Sequence, residues 1–429
     1  MTHIFRTIIV LLLILPSSCN NRQKNNNTVP LIDIEANVGK MEVLNLSEFT
    51  DNIKYVPLES KDNLPYGYTD DLEISGNLIL ISDRNVCLLY NIDGHFILKV
   101  GNIGRGPGEY PYITNIDIGK AGEIYLSDTE DLYKYRSDGQ FINKYINSFL
   151  NESYYLSNWV LIGDSLLFGH VPNSTGKEEN KALLIDKFGH IKHNYKNYIL
   201  FERDKRISNT LENHAHISKF KDNVFYKELF NDTLFYLSDQ LDLLPGFVFK
   251  LGKYKASESA RKTLNFEEVY KSIDLYCVFQ TENYLFLDLN FGDHFPAKRL
   301  TQKKPPAALS GAQFLDRYGW YNTRHALGVY DKRSGSLKFS KPTSTDNPLF
   351  TSGLYNDIDA GPRFFPQKQI NDSTLVMWVN AEELKNHIAS DDFKNCVPKF
   401  PEKKRKLEEL ANKLSTFDNP ILMFVTFKK

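Results

Sequence analysis

Gly122–Phe141 reads GEIYLSDTEDLYKYRSDGQF. A polar turn opens it, a short apolar strand follows, and a second apolar strand runs into a Gly-bearing turn. The first half of this unit recurs along the chain. Gly76-Asn77 precedes LILISD, Asp164-Ser165 precedes LLFGH and Asp222-Asn223 precedes VFYKEL. Glu282-Asn283 precedes YLFLDL, and Asp372-Ser373 precedes TLVMWV. The six strands open near Leu78, Ile124, Leu166, Val224, Tyr284 and Leu375. The second half recurs as 88–98, 132–142, 183–192 and 327–339, with turn glycines Gly94, Gly139, Gly189 and Gly335. Such turns need positive φ, which glycine adopts without a Cβ clash. Six copies of a multi-strand unit predict an all-β, six-bladed β-propeller, in which sheet faces are buried by stacking around an axis. Blades of about 40–50 residues are usual, so the wider intervals here require insertions. They fall at Gly292–Arg324 and Asn380–Asn419. The second carries two helix-like pieces, 381–388 and 401–416, the latter opening on Pro401 and striped by Leu407, Leu410 and Leu414. A propeller closes by pairing early and late strands, and Ile53–Leu58 with Ile421–Phe427 is the natural pair.

Composition sets outer limits. The 429 residues are 41% hydrophobic and 24% charged, an ordinary globular balance that excludes a largely disordered chain. Fifty-two basic against 53 acidic residues argue against nucleic-acid binding through bulk charge. Four cysteines cannot make a disulfide-dense scaffold, and no C-x-x-C occurs. Cys87 and Cys277 sit in apolar runs and read as buried small hydrophobes.

The chain opens as an address. Residues 1–18 have a basic start, the apolar run Thr7–Leu15 and small residues after it, the pattern of a secretory signal peptide. Nine apolar residues are too few to span roughly 30 Å of hydrocarbon as a helix. Ser17-Ser18-Cys19 resembles a bacterial lipobox, in which Cys19 is lipidated, although Pro16 stands where leucine is usual. Residues 19–30 then read as a polar, Asn-rich tether, and 31–429 as one propeller domain. The tether lacks acidic residues after Cys19. This favours a lipid-anchored envelope protein at the outer membrane, facing the periplasm.

Gly101–Tyr110 (GNIGRGPGEY), with 115–141 after it, looks like an NHL-type repeat. It more closely resembles the six-bladed β-propeller lipoproteins of Bacteroidetes, as do 231–254, 356–366 and 418–428. The resemblance covers about residues 30–429. It implies the fold and a lipid anchor and leaves the activity open.

The candidate residues each carry a structural alternative. Arg105, among four glycines, suits an anion contact, but no Gly-Lys-Ser/Thr follows, and an inter-blade loop explains the glycines equally. His214 and His216, two apart on a strand, face one side and suit a metal pair or a channel lining. Asp357 and Asp359 suit calcium, acid–base work or Asx turns; Asp83 and Asp128 close equivalent strands and read as turn caps. The insertion residues His294, Arg324 and His325 flank a possible mouth cover. No Gly-x-Ser-x-Gly and no His-Glu-x-x-His is present. The expectation is a propeller that binds a ligand or a protein partner, such as a glycan, at its channel mouth. Arg105, His216, Arg324 and Arg363 line that mouth, with no cofactor and no catalysis. The alternatives are a glycan-directed lyase or hydrolase on the same scaffold, and a structural subunit of an envelope complex.

Overall fold

The computed structural model describes residues 28–61, 69–146, 156–163, 165–202, 214–263, 271–296, 325–342 and 352–428. Six antiparallel sheets follow one another around an axis. Blade I comprises Asp71–Ser75, Leu78–Ser82, Cys87–Asn91 and Phe96–Lys99. Blade II comprises Asn115–Ile118, Ile124–Ser127, Asp131–Tyr135 and Phe141–Ile146. Blade III is built from Asn158–Ile162, Leu166–His170, Asn180–Asp186 and Ile191–Lys196. Ala215–Phe220, Asn223–Glu228, Thr233–Leu237 and Leu243–Lys250 form blade IV. Asp274–Gln280, Tyr284–Asn290, His325–Asp331 and Leu337–Ser340 form blade V. Lys368–Gln369, Thr374–Val379 and Ile421–Thr426 form blade VI, whose outermost strand is the N-terminal Asn52–Pro57.

The six sequence repeats are therefore the second strands of the six blades. The four turn glycines join third to fourth strands at φ of 87°, 83°, 84° and 72°. In blade IV the same turn uses Leu241 at φ 65°, which the glycine pattern could not reveal. Closure is as the sequence predicts: Ile53 pairs with Val425 and Pro57 with Ile421. The N-terminus does more than close the ring. Leu31–Asp33 adds in parallel to the edge of blade IV, and Met41–Glu42 to that of blade V. Leu44, Leu46 and Phe49 then fill the core between blades V and VI, against Phe286, Met377 and Phe427. Over this core lies the helical insertion, Ala381–Ala389, Asp391–Asn395 and Pro401–Lys413. It docks through buried Leu384, Phe393, Leu407 and Ala411. Each large apolar side chain so buried stabilises by about 1.5–3 kcal/mol. The short middle helix has too little periodicity to be read from sequence.

Four-stranded meanders place connections unequally. The first-to-second and third-to-fourth turns lie on one face and are short, as at 76–77, 221–222 and 332–336. Every inter-blade connection and every second-to-third connection leaves from the opposite face. That face carries 100–114, 171–179 and 380–420, together with the described parts 251–263, 271–273, 291–296, 341–342 and 352–367.

Candidate functional site

The innermost strands bring polar side chains into the channel, and there they tie blade to blade. Between blades I and II, the Ile116 N–H donates to Asp71 Oδ2 at 3.3 Å. Between II and III, the Leu161 N–H donates to Asp117 Oδ2 at 2.8 Å, and Asn115 Nδ2 to the Trp159 carbonyl at 2.9 Å. Asn158 Nδ2 donates to the Ala215 carbonyl at 2.9 Å, joining III to IV. His216 Nε2 lies 3.1 Å from the Val278 carbonyl, joining IV to V. The Gln280 N–H donates to Gln369 Oε1 at 2.9 Å, joining V to VI. Lys368 closes the circle from VI to I, donating to Glu73 Oε1 and standing 3.7 Å from Asp71 Oδ1. Every seam is thus held by a side chain as well as by its apolar core.

Charge in this ring is unevenly matched. Asp71, Glu73 and Asp117 face Lys368 and Lys219, the latter 3.3 Å from Asp117. Burial works against the Lys368 ammonium, but Glu73 and Asp71 outweigh it and hold its pKa above the ordinary lysine value. Burial raises the Asp71 carboxyl and pushes that of Glu73 up to about 8, so one carboxyl of the group keeps its proton near neutral pH. His216 is half-buried, and burial pushes its pKa down to about 3. Since a carbonyl only accepts, its Nε2 carries the proton and the ring is neutral.

Toward the long-connection face, blades III and IV border a small, solvent-open polar cleft with room for about one water molecule. His170, His214 and Glu228 line it, with Asn173, Asn197 and Asn231 around them. His170 Nδ1 lies 2.8 Å from Tyr226 Oη and 3.0 Å from the Lys181 carbonyl. Glu228 accepts from Lys181 Nζ at 3.2 Å and Asn231 Nδ2 at 2.9 Å. His214 is exposed at the cleft, yet crowding of its ring by the surrounding protein lowers its pKa, with His170 and His325 adding to it. Beyond it, Tyr276 packs between His214 and His325, with ring centroids 5.7 and 5.2 Å away. His325 Nδ1 lies 2.5 Å from Asp288 Oδ1. Imidazoles from three successive blades thus stand along one sector of the mouth. They can exchange hydrogen bonds, of either sense, with a polar ligand.

The other sequence candidates stand apart from this sector. Cys19 and Arg324 lie outside the described residues. Arg105 is exposed on the loop between blades I and II. Around it the Gly101–Tyr110 loop folds onto its own Glu109. The Gly106 N–H donates to Glu109 Oε2 at 2.8 Å, and a Cβ on Gly104 would lie 2.0 Å from that oxygen. Gly104 and Gly106 make room for this internal carboxylate, and Gly101 and Gly108 for aromatic rings. Arg363, between blades V and VI, lies over the Tyr355 ring at 5.2 Å and donates to the Lys341 carbonyl at 3.3 Å. Arg105, His216 and Arg363 therefore occupy three different seams. Asp357 accepts from Ser47 N at 3.0 Å and Oγ at 2.6 Å, and Asp359 from Tyr55 Oη at 3.2 Å. Both fasten their loop to the N-terminal segment. Asp83 and Asp128 cap their turns, each accepting two backbone N–H groups at 2.6–2.7 Å. Among the described residues no group of three or more His, Cys, Asp or Glu converges in a metal-holding arrangement. His170, Glu228 and Lys181 escaped the sequence reading because no motif links them. Only alignment of the second and third strands would have placed them on one mouth.

Fold and site together define a six-bladed propeller with one elaborated face and a polar sector at its mouth. The chain belongs to the family described as Domain of unknown function (DUF4934), whose model matches residues 29–426. No curated protein matches it. It is similar to the crystal structure of a Bacteroides fragilis NCTC 9343 protein that carries the designation of an exported protein. That match has 18% identity and a TM-score of 0.65, covering 94% of this chain and 100% of that one. A member of the DUF4221 family from Bacteroides vulgatus ATCC 8482 is more distant, at 12% identity and a TM-score of 0.49, covering 91% and 99%. Virginiamycin B lyase from Staphylococcus aureus reaches 13% identity and a TM-score of 0.36, covering 68% and 75%. At 18% identity, the first of these likenesses speaks to the fold alone.

Proposed function

We propose that the protein is a lipid-anchored, cell-envelope propeller that binds a polar ligand or a protein partner at its channel mouth, without catalysis. The supporting observation is the concentration of the long connections, among the described residues, on one face beside a cleft whose imidazoles come from adjacent blades. The anchor rests on the short apolar leader and Cys19, and the acid-free tether after it supports an outer-membrane, periplasm-facing location. Arg105 and Arg363 stand on loops of the same face and extend the binding region beyond the cleft, and Arg324, outside the described residues, is kept as a candidate from the sequence. The test is thermal denaturation of the protein against glycans, peptides, metals and nucleotides, because a native-state ligand raises the melting temperature by mass action. One class should raise it, and His214→Ala with Glu228→Gln should abolish the shift. A ligand shift that survives both substitutions would move the site elsewhere.

The Asp288–His325 pair supports a second reading, an envelope hydrolase or lyase. A carboxylate that orients an imidazole is the arrangement of a general base. Turnover of a glycan by the wild type, lost in Asp288→Asn, would establish it.

A further inference from the structure

Residues 394–406 read KNCVPKFPEKKRK and carry six basic residues against one acid, Glu402, in a chain whose charges otherwise nearly cancel. The stretch joins Asp391–Asn395 to Pro401–Lys413 in the helical insertion over the seam of blades V and VI. Its ammoniums are held by oxygens that do not neutralise them. Lys404 Nζ donates to the Cys396 and Lys394 carbonyls at 2.8 and 3.4 Å. Lys403 Nζ donates to the Asp51 carbonyl at 2.8 Å. The Asp51 carboxylate is shared: it accepts from Lys399 Nζ at 2.7 Å and lies 3.4 Å from Lys428 Nζ. Arg405 meets Glu409 at 3.6 Å. Lys394, Lys403, Lys404 and Lys406 meet no carboxylate at ion-pair distance among the described residues. Elsewhere on the surface lysines pair singly, as Lys54 does with Asp93 at 3.0 Å, Lys255 with Asp232 at 2.6 Å and Lys338 with Glu42 at 3.0 Å. A carbonyl fixes an ammonium in place and leaves its unit charge in the surface field.

The chemistry of the patch selects its partner. Cores of protein–protein interfaces are enriched in aromatic side chains and arginine and depleted of lysine, the reverse of what stands here. The rings beneath are covered: Lys399 and Lys403 lie over Phe400 at 5.5 and 4.7 Å, and Lys404 over Phe393 at 4.6 Å. The one large apolar side chain exposed in the stretch is Val397, at 91%, which leaves little apolar surface to enter lipid. Lysine is a compact, hydrated point charge on a flexible stem, whereas arginine forks onto one planar anion. Several such charges on one ridge suit a partner that repeats its negative charge and is met without a fixed register.

We propose that this patch binds an acidic polysaccharide, a polymer with carboxylates repeated along its length, through Lys394, Lys403, Lys404 and Lys406. It is a second surface, two seams away from the cleft at His214, and it needs neither that cleft nor the lipid anchor. The test is calorimetric titration of the full-length protein with polygalacturonate at low salt, against neutral dextran, polyglutamate and a soluble short-chain phosphatidylglycerol. The expected result is saturable binding of polygalacturonate and none of dextran. Raising the salt to about 0.3 M should weaken that binding at least roughly tenfold, a readout on the wild type that needs no variant to fold. Lys394→Gln, Lys404→Gln and Lys406→Gln together should weaken it to a similar extent. Lys120→Gln, Lys177→Gln and Lys253→Gln, which remove the same charge from exposed positions elsewhere, should leave it within about twofold. His214→Ala with Glu228→Gln should retain it, which separates this surface from the cleft. Absence of polygalacturonate binding, binding that ignores salt, or equal loss in both triple variants would overturn the proposal. Loss in the cleft variant would also overturn it and place the polymer in the cleft. Tighter binding of polyglutamate or of the lipid would overturn it in favour of an acidic protein or a lipid surface.

Discussion

Replacing Lys368 by methionine isolates the contribution of the channel charges. Lys368 is the cation between Glu73 and Asp71 at the seam of blades VI and I. Methionine keeps the length of the side chain and removes the charge. It leaves Asp71, Glu73 and Asp117 facing Lys219 alone. Removing one partner of a fully buried pair costs about 3–5 kcal/mol. Here the side chains of Lys368, Glu73 and Asp71 keep 26%, 18% and 25% exposure to channel water. Solvation of that degree lowers the expectation to about 2–3 kcal/mol at pH 8. The sign of the pH dependence follows from the carboxyls. Burial already raises both Asp71 and Glu73, and Lys368 is the charge that opposes this. Without it they bind protons more readily in the folded state than in the unfolded chain. Stability of the variant is then recovered as pH falls, and the cost should shrink below about 1 kcal/mol near pH 5. Urea denaturation of wild type and variant at both pH values measures it. A cost independent of pH, or one below about 1 kcal/mol at pH 8, would refute the electrostatic account of this seam. Glu73→Gln is the companion, since a group mostly protonated at neutral pH should lose under about 1 kcal/mol when made a neutral amide.

Two further substitutions test the ring and its closure. His216→Ala removes the donor to the Val278 carbonyl and a ring 4.9 Å from Phe279, and should cost about 2 kcal/mol above pH 6.5. Because burial lowers the His216 pKa in the folded state, the unfolded chain gains the proton first on acidification, so this cost should fade as pH drops from 6.5 toward 3 in the same denaturation assay. Gly94→Ala places a Cβ 2.2 Å from the Pro57 carbonyl oxygen at φ 87°, and should lower stability by about 3 kcal/mol by prising blade I from the closing strand; a melting temperature within about 2 °C of wild type would contradict that packing.

Much of the propeller is readable before folding because its blades repeat one strand. Leu78, Ile124, Leu166, Val224, Tyr284 and Leu375 open equivalent strands, since the apolar run each begins is buried at the same radius. The Asp83 and Asp128 caps and the closure by Ile53–Leu58 follow from the same repetition. The outer strands Leu31–Asp33 and Met41–Glu42 do not: they are short, and their pairing is decided by edges 200 to 300 residues away. The channel is equally silent. Glu73, Lys219 and Lys368 are single residues in different blades, and only the common axis makes them neighbours. Arg105 stands out because of its glycines, yet Gly104 and Gly106 make room for Glu109, and Gly101 and Gly108 for the rings of Tyr110, Tyr135 and Phe141. His216 stood out for its spacing, yet its Nε2 bonds a carbonyl.

The N-terminal segment that edges blades IV and V and completes blade VI is the first part of the domain to be made, and its last partner, Ile421–Thr426, is nearly the last. Bringing strands so distant together carries the loop-closure cost of almost the whole domain. Growth from the ribosome, or emergence across a membrane, therefore produces an open arc of blades whose two ends stay unmatched until the final strand is free. A chain cut anywhere before Ile421 has no ring to complete. Intact length is thereby a condition of folding, and the propeller proofreads its own synthesis at the seam.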